Sequence, residues 1–223
     1  MKNTFNLLAL ACLMAGGAHA GLVTITVDTQ TLVGHAAAPF YIDLQFTDGS
    51  GTGDGNNSVF VNAFDFGVGG SVGALFETAS GDVAGDLSTG VMLTDTQFFN
   101  QFGQSFNPGD KLTFQVHFTG NVDAGTPDGF TFSILDSSLT PIPTLEPLLQ
   151  DFVFSMDFDG RATTIQAYGG DTSRSPSAGG DGLAFSTRYA NELSSDAPEP
   201  ATVWQFGAGL LVAAASARKR LAR

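Results

Sequence analysis

Apolar side chains at every second position constrain this chain more than anything else in it. Leu112, Phe114, Val116 and Phe118 alternate with Thr113, Gln115, His117 and Thr119. Phe130, Phe132 and Ile134 repeat the pattern, as do Phe152, Phe154, Met156 and Phe158, and earlier Val23, Ile25, Val27 and then Ile42, Leu44, Phe46. Residues two apart share one face of a strand, so each segment carries one apolar and one polar face. Half-buried strands of this kind pair antiparallel, and their inner faces need a second sheet to cover them. The expected fold is all-β: an antiparallel β-sandwich, jelly-roll-like. Residues 59–66 are apolar on both faces in places and are expected at the centre of a sheet. One short helix is expected at 95–101, where Thr94 and Gln97 have capping-box spacing and Phe98, Phe99 and Phe102 form an apolar helical face.

The two ends have a different chemistry. Lys2 precedes an apolar stretch from Phe5 to Met14, and Ala18-His19-Ala20 supplies a small-x-small cleavage site, so residues 1–20 are expected to be a Sec-type signal peptide. A lipoprotein cleavage at Cys12 is the alternative; it lacks the usual Leu at the first position of the preceding tripeptide, since Ala9 stands there, and leaves a very short apolar region. At the other end, residues 201–217 carry no charge, with only Thr202, Gln205 and Ser216 polar. At about 1.5 Å per residue they make a helix of roughly 25 Å, close to a hydrocarbon core. Trp204 sits at interfacial depth, and Arg218, Lys219, Arg220 and Arg223 follow the apolar run. Cations so placed stay on the cytoplasmic side, giving an N-outside, C-inside span. A buried C-terminal helix of a soluble protein is the alternative. The expected organisation is signal peptide 1–20, β-sandwich 21–189, linker 190–197 and tail 198–223.

Pro198-Glu199-Pro200, then the apolar helix, then the basic cluster at the terminus resembles the PEP-CTERM sorting signal of Gram-negative bacteria. The resemblance implies handling by exosortase, a membrane enzyme that cuts near the tripeptide, in bacteria that make exopolysaccharide. It implies a destination, the cell surface or extracellular matrix by way of a membrane-anchored intermediate, and no chemistry. The body is also similar to a group of PEP-CTERM proteins with no known activity, through residues 43–57, 80–87, 93–102 and 126–136.

The chain holds 22 acids against nine bases. All the acids but Glu199 lie in the body, where the bases are Lys111, Arg161, Arg174 and Arg188. Such a surface repels nucleic acid and anionic lipid and attracts divalent cations. Cys12 is the one cysteine, so after cleavage at Ala20 there is no disulfide, thiol nucleophile or cysteine metal site.

Few constellations suggest chemistry. In loop 48–57, Asp48, Asp54 and Asn56 alternate with glycines, a pattern of oxygen ligands that suits Ca²⁺. It lacks the spacing of an EF-hand, and a long Gly/Asn/Asp hairpin loop is the plainer alternative. Gly69-Gly70-Ser71-Val72-Gly73 matches a nucleophile elbow in letters only, because strand-like sequence surrounds it where a strand, turn and helix are needed. His35 and His117 have no metal-ligand spacing. For a glycosidase pair, Asp43, Asp65 and Asp157 lie on strands, but Asp43 and Asp157 occupy polar-face positions where solvent is expected. No catalytic residue is expected. Two functions from different classes remain: a non-enzymatic, exosortase-sorted surface or matrix protein associated with exopolysaccharide and biofilm, or a carbohydrate-binding module, lectin-like and Ca²⁺-dependent, or a weak glycoside hydrolase.

Overall fold

The computed structural model describes residues 19–75, 79–121, 126–158 and 163–192. Residues 1–18 and 193–223, with Ala18, Pro198, Glu199, Pro200, the 201–217 segment and Arg218, Lys219, Arg220 and Arg223, lie outside the described residues. No helix among the described residues is long and apolar enough to cross a membrane.

Twelve strands form in chain order: β1 (His19–Asp28), β2 (Phe40–Thr47), β3 (Ser58–Asp65), β4 (Ser71–Leu75), β5 (Asp82–Asp86), β6 (Gly90–Thr94), β7 (Phe99–Asn107), β8 (Lys111–Gly120), β9 (Asp128–Leu135), β10 (Phe154–Phe158), β11 (Thr163–Ala167) and β12 (Thr187–Glu192). They make two six-stranded sheets, one ordered β12-β1-β8-β3-β6-β5 and the other β11-β10-β9-β2-β7-β4. Every pairing is antiparallel. Strand β1 pairs β8, β2 pairs β7 and β3 pairs β6, so the pairings nest one inside the next. The all-β sandwich expected from the period-two pattern is what forms.

Alternation dictates the core. Leu112, Phe114, Val116 and Phe118 of β8 point inward from the first sheet, and Phe130, Phe132 and Ile134 of β9 point inward from the second; all seven are buried. Phe114 and Phe132 meet edge-to-face with ring centroids 5.0 Å apart, and Phe64 stacks on Phe114 at 5.2 Å. Burying each such ring stabilises by roughly 1.5–3 kcal/mol. Strand β3 lies between β8 and β6, as its two-sided apolar character requires.

The helix expected at 95–101 does not form. Residues 95–98 are a turn that carries the chain from one sheet to the other, and β7 begins at Phe99. The inward positions of β7 are Asn100, Phe102, Gln104 and Phe106, all buried. Two of those four are polar, which hides the strand period. Both amides replace backbone partners: Asn100 Oδ1 accepts from Asp82 N at 2.7 Å, and Gln104 Oε1 accepts from Leu87 N at 2.9 Å. Satisfied this way, a buried amide costs little and ties β7 to the opposite sheet.

Asp43 also departs from expectation. It sits on the outer face of β2, yet is buried, because Gln45 Nε2 and Gln101 Nε2 donate to its two oxygens at 2.6 and 2.7 Å and fold over it. Burial pushes its carboxyl above the ordinary value against the pull of those amides. Asp157 is exposed on its strand face. Strand β12 runs to Glu192, into the segment read as linker, and continues the first sheet by pairing Ala190 with Thr24.

Candidate functional site

The polar groups that converge most closely lie at one end of the sandwich, around loop 48–57. This loop crosses from β2 in one sheet to β3 in the other, so it is not a hairpin. Two neighbouring segments hold it. Asp48 N donates to Phe98 O at 3.0 Å, and Gly49 N donates to Asp128 Oδ1 at 2.9 Å. A Cβ on Gly49 would lie 2.1 Å from Pro127 O, and one on Gly53, at φ +64°, 2.7 Å from Thr96 O. Glycine is required there because backbone meets backbone.

Asp48 organises the loop from inside. It is fully buried, its Oδ1 accepts from Ser50 Oγ at 2.7 Å and Gly51 N at 2.9 Å, and its Oδ2 accepts from Gly53 N at 2.5 Å. Burial opposes the charge, but the Ser50 hydroxyl and the backbone donors outweigh it and hold the carboxyl below its ordinary value. Asp54 caps its own turn, accepting from Asn56 N at 3.3 Å and Asn56 Nδ2 at 2.9 Å. Of the three residues that suggested Ca²⁺, Asp48 is therefore committed to loop structure, while Asp54 and Asn56 face each other at the rim.

The buried residues beside them are Asn57, Asp95 and Asp128. Asn57 N donates to Asp95 Oδ2 at 2.9 Å, and Asp95 N returns a bond to Asn57 O at 3.3 Å. Asn57 Nδ2 donates to Asp128 Oδ2 at 2.8 Å, and Asn57 Oδ1 accepts from Asn121 N at 2.6 Å. Asp95 Oδ1 is buried and accepts no hydrogen bond. Burial, with the charges of Asp128 and Asp54, pushes the Asp95 carboxyl up to about 7 against the pull of the Asn57 N–H. Sequence spacing could not find this cluster, because Asp95 lies on the 95–98 turn and Asp128 is the first residue of β9; an Asp on the short link between two strands was the one available signal.

No catalytic arrangement is present among the described residues. Asp43 and Asp157 are on β2 and β10 with β9 between them, aligned with Ser133 and Gly129 respectively, and Asp65 is in the other sheet, paired with Lys111 at 2.9 Å. The three do not form a carboxyl pair. Ser71 Oγ accepts from Asn107 Nδ2 at 2.9 Å and has no imidazole beside it. His35 Nδ1 accepts from Ala37 N at 3.1 Å, so Nε2 carries the proton donated to Asp181 O at 3.1 Å. His117 packs on Phe60 with centroids 6.2 Å apart. A shallow groove of about 380 Å³ holds Asp28, Asp110, Lys111 and Arg188, but Asp28 caps Gln30 N at 3.1 Å and Asp110 accepts from Val68 N at 2.7 Å. Both carboxyls there serve turns.

Among the described residues, no group of three or more His, Cys, Asp or Glu side chains is arranged to hold a metal ion by itself. No known protein family, curated protein or solved structure matches this chain.

Proposed function

We propose that this is an exported, non-enzymatic protein of the cell surface or extracellular matrix of a Gram-negative bacterium, associated with exopolysaccharide. Sec exports it by its signal peptide, the 201–217 segment holds it in the inner membrane, and exosortase releases it near Pro198-Glu199-Pro200. The observation that carries the proposal is the tail: tripeptide, apolar run and basic cluster occur in that order within residues 198–223.

Residues 198–223 fused to a secreted reporter, in a host that has exosortase, test the sorting step by mass. The expected result is loss of the tail near Pro198 and transfer of the reporter to the outside. A reporter that keeps the tail, and is located as it is without the tail, overturns the proposal. A glycan array tests the role of the sandwich: saturable binding to a defined sugar would replace a scaffold role with carbohydrate recognition.

A further inference from the structure

We propose that the outer face of the second sheet binds an uncharged polysaccharide chain, laid across the strands on a row of hydrogen-bonding side chains that the buried carboxylate of Asp43 orients. The inference rests on the association with exopolysaccharide proposed above and gives it a place and a ligand class. Strand register makes the row. Gln101 of β7 lies opposite Gln45 of β2, Gln45 opposite Thr131 of β9, Thr131 opposite Ser155 of β10, and Ser155 opposite Gln166 of β11. All five alternate with core positions and so share the outer face, and each is at least partly exposed. With neighbouring strands about 4.8 Å apart, the row spans roughly 19 Å.

Asp43 makes this face ordered and not merely wet. Its residue is 2% exposed, and its Oδ2 and Oδ1 accept from Gln45 Nε2 at 2.6 Å and Gln101 Nε2 at 2.7 Å. An ionised carboxyl can only accept, so both amides must turn nitrogen towards it and carry Oε1 on the far side. Among the described residues, no group donates to either Oε1. A carboxylate withdrawn from water on the solvent side of a sheet is costly; its effect here is to hold two acceptors side by side on neighbouring strands. Gln166 is fixed in the opposite sense, since its Oε1 accepts from the Tyr168 hydroxyl and its Nε2 is left to donate. Acceptors therefore stand at one end of the row, a donor at the other, and the Thr131 and Ser155 hydroxyls, which do both, between them. Charge selects the ligand. The row has no cation and no ionised group of its own, and the acidic body, with 22 acids in the chain against nine bases, repels an anionic chain. A chain of uncharged sugars, whose hydroxyls donate and accept, is the complement. Phe99, 36% exposed and two residues before Gln101, and Tyr168, two after Gln166, put an aromatic ring at each end, an apolar surface for the C–H face of a pyranose. An open ladder of this kind engages a polymer through weak contacts in succession and not one defined sugar.

The test is affinity electrophoresis of the full chain in a polyoxyethylene detergent, which carries no sugar, through native gels cast with hydroxyethylcellulose, glucomannan or alginate. Retardation by the two uncharged polymers and little by anionic alginate is expected, a contrast read on the wild type alone. Gln45→Ala with Gln101→Ala should weaken the Kd about tenfold. Water then reaches Asp43, so the variant should still melt as a folded chain. Gln115→Ala, on the outer face of the other sheet, should bind as the wild type does. Asp43→Asn accepts from one amide and turns the other over, so its Kd should weaken about threefold; a lower Tm with an unmoved Kd would overturn the positioning role of Asp43. No retardation by either uncharged polymer, equal retardation by alginate, or a double glutamine variant that binds as the wild type does would each overturn the face. Gels cast with exopolysaccharide from the producing bacterium separate this from the reading beneath it. If wild type and double variant are retarded alike there, the face fails and the association stands; if the wild type is not retarded, the association itself fails.

Discussion

Two corners of the sandwich pack carboxylates into loops, and they solve the problem in opposite ways. At one, Arg174 lies between two aspartates: Nη1 and Nη2 reach Asp151 at 3.0 and 2.5 Å, Nε reaches Asp171 at 2.8 Å, and Nη2 also donates to Thr144 O at 2.5 Å. Hydrogen bonds from Ser173 and Arg174 hold the Asp171 carboxyl down at about 2, and the two aspartates raise Arg174. At the other, Asp95 accepts from Asn57 N and Asp128 from Gly49 N and Asn57 Nδ2, and burial, with the neighbouring carboxylates, raises Asp95. The same side chain is driven in opposite directions: Ser173 and then Arg174 donate to Asp171, whereas burial, with the charges of Asp128 and Asp54, raises Asp95. A carboxyl given hydrogen-bond donors stays ionised, whereas one buried beside other carboxyls is pushed towards its protonated form.

Removing the built-in cation should give the largest effect. Arg174→Ala takes a fork from two carboxylates and one carbonyl at once and leaves Asp151, whose side chain is only 15% exposed, with Thr144 N but without its cation. A loss of about 2 kcal/mol is expected, at the lower end for a buried pair because the guanidinium is partly in water. Arg174→Lys should recover only a fraction, since an ammonium cannot span three acceptors in one plane. Urea unfolding midpoints decide this, and a midpoint unchanged in Arg174→Ala would show that the knot is ornamental.

At the other corner the two aspartates should respond unequally, although both are buried. Asp128 accepts on both oxygens, from Gly49 N and from Asn57 Nδ2. An amide has one accepting oxygen, so Asp128→Asn sets a donor against a donor, and Asn57 cannot flip because its Oδ1 holds Asn121 N. About 1–2 kcal/mol should be lost in EDTA. Asp95 accepts on Oδ2 alone, so Asp95→Asn can keep that bond and direct its new N–H at Asp128. Its effect in EDTA should be smaller and of the opposite sign. Equal losses in the two variants would mean that Asp95 has a partner as firmly held as that of Asp128.

The fold was largely legible in the sequence, and the corners were not. Strands β8 and β9 could be read because their inward residues are uniformly apolar, and the period follows directly from burial. Strand β7 could not, because Asn100 and Gln104 occupy core positions by replacing backbone partners, and a polar residue inside breaks the pattern that reveals a strand. Asp43 failed for the related reason that alternation gives the face of a sheet but not what lies over that face. Of the residues in the Ca²⁺ pattern of loop 48–57, Asp48 holds its own loop while Asp54 and Asn56 bond to each other. Asp48 was chosen by spacing, yet spacing cannot tell a carboxylate that holds its own loop from one that faces a neighbour. Asp95 and Asp128 are brought together by strand nesting, which no local pattern encodes. Only tertiary pairing decides which acids meet.

The smallest effect, and the one that tests the sign of the comparison, is at Asp171. A carboxyl held at about 2 when folded, against about 4 in an unfolded chain, contributes stability that is fully present above pH 4 and is lost as pH falls towards 2. Asp171→Asn lacks that titration but keeps an acceptor for Ser173. The gap between wild type and variant, read from urea midpoints, should therefore be constant from pH 7 to about 5 and close on further acidification; its size is small because water reaches the group and screens it. Arg174 must be present for the gap to close in this way. In an Arg174→Ala background only the Ser173 bonds of Asp171 remain, and the closure should shift to higher pH. If the closure is unmoved by the loss of Arg174, the Ser173 bonds alone set the Asp171 carboxyl, and the contrast between the corners is one of hydrogen bonding and not of built-in charge.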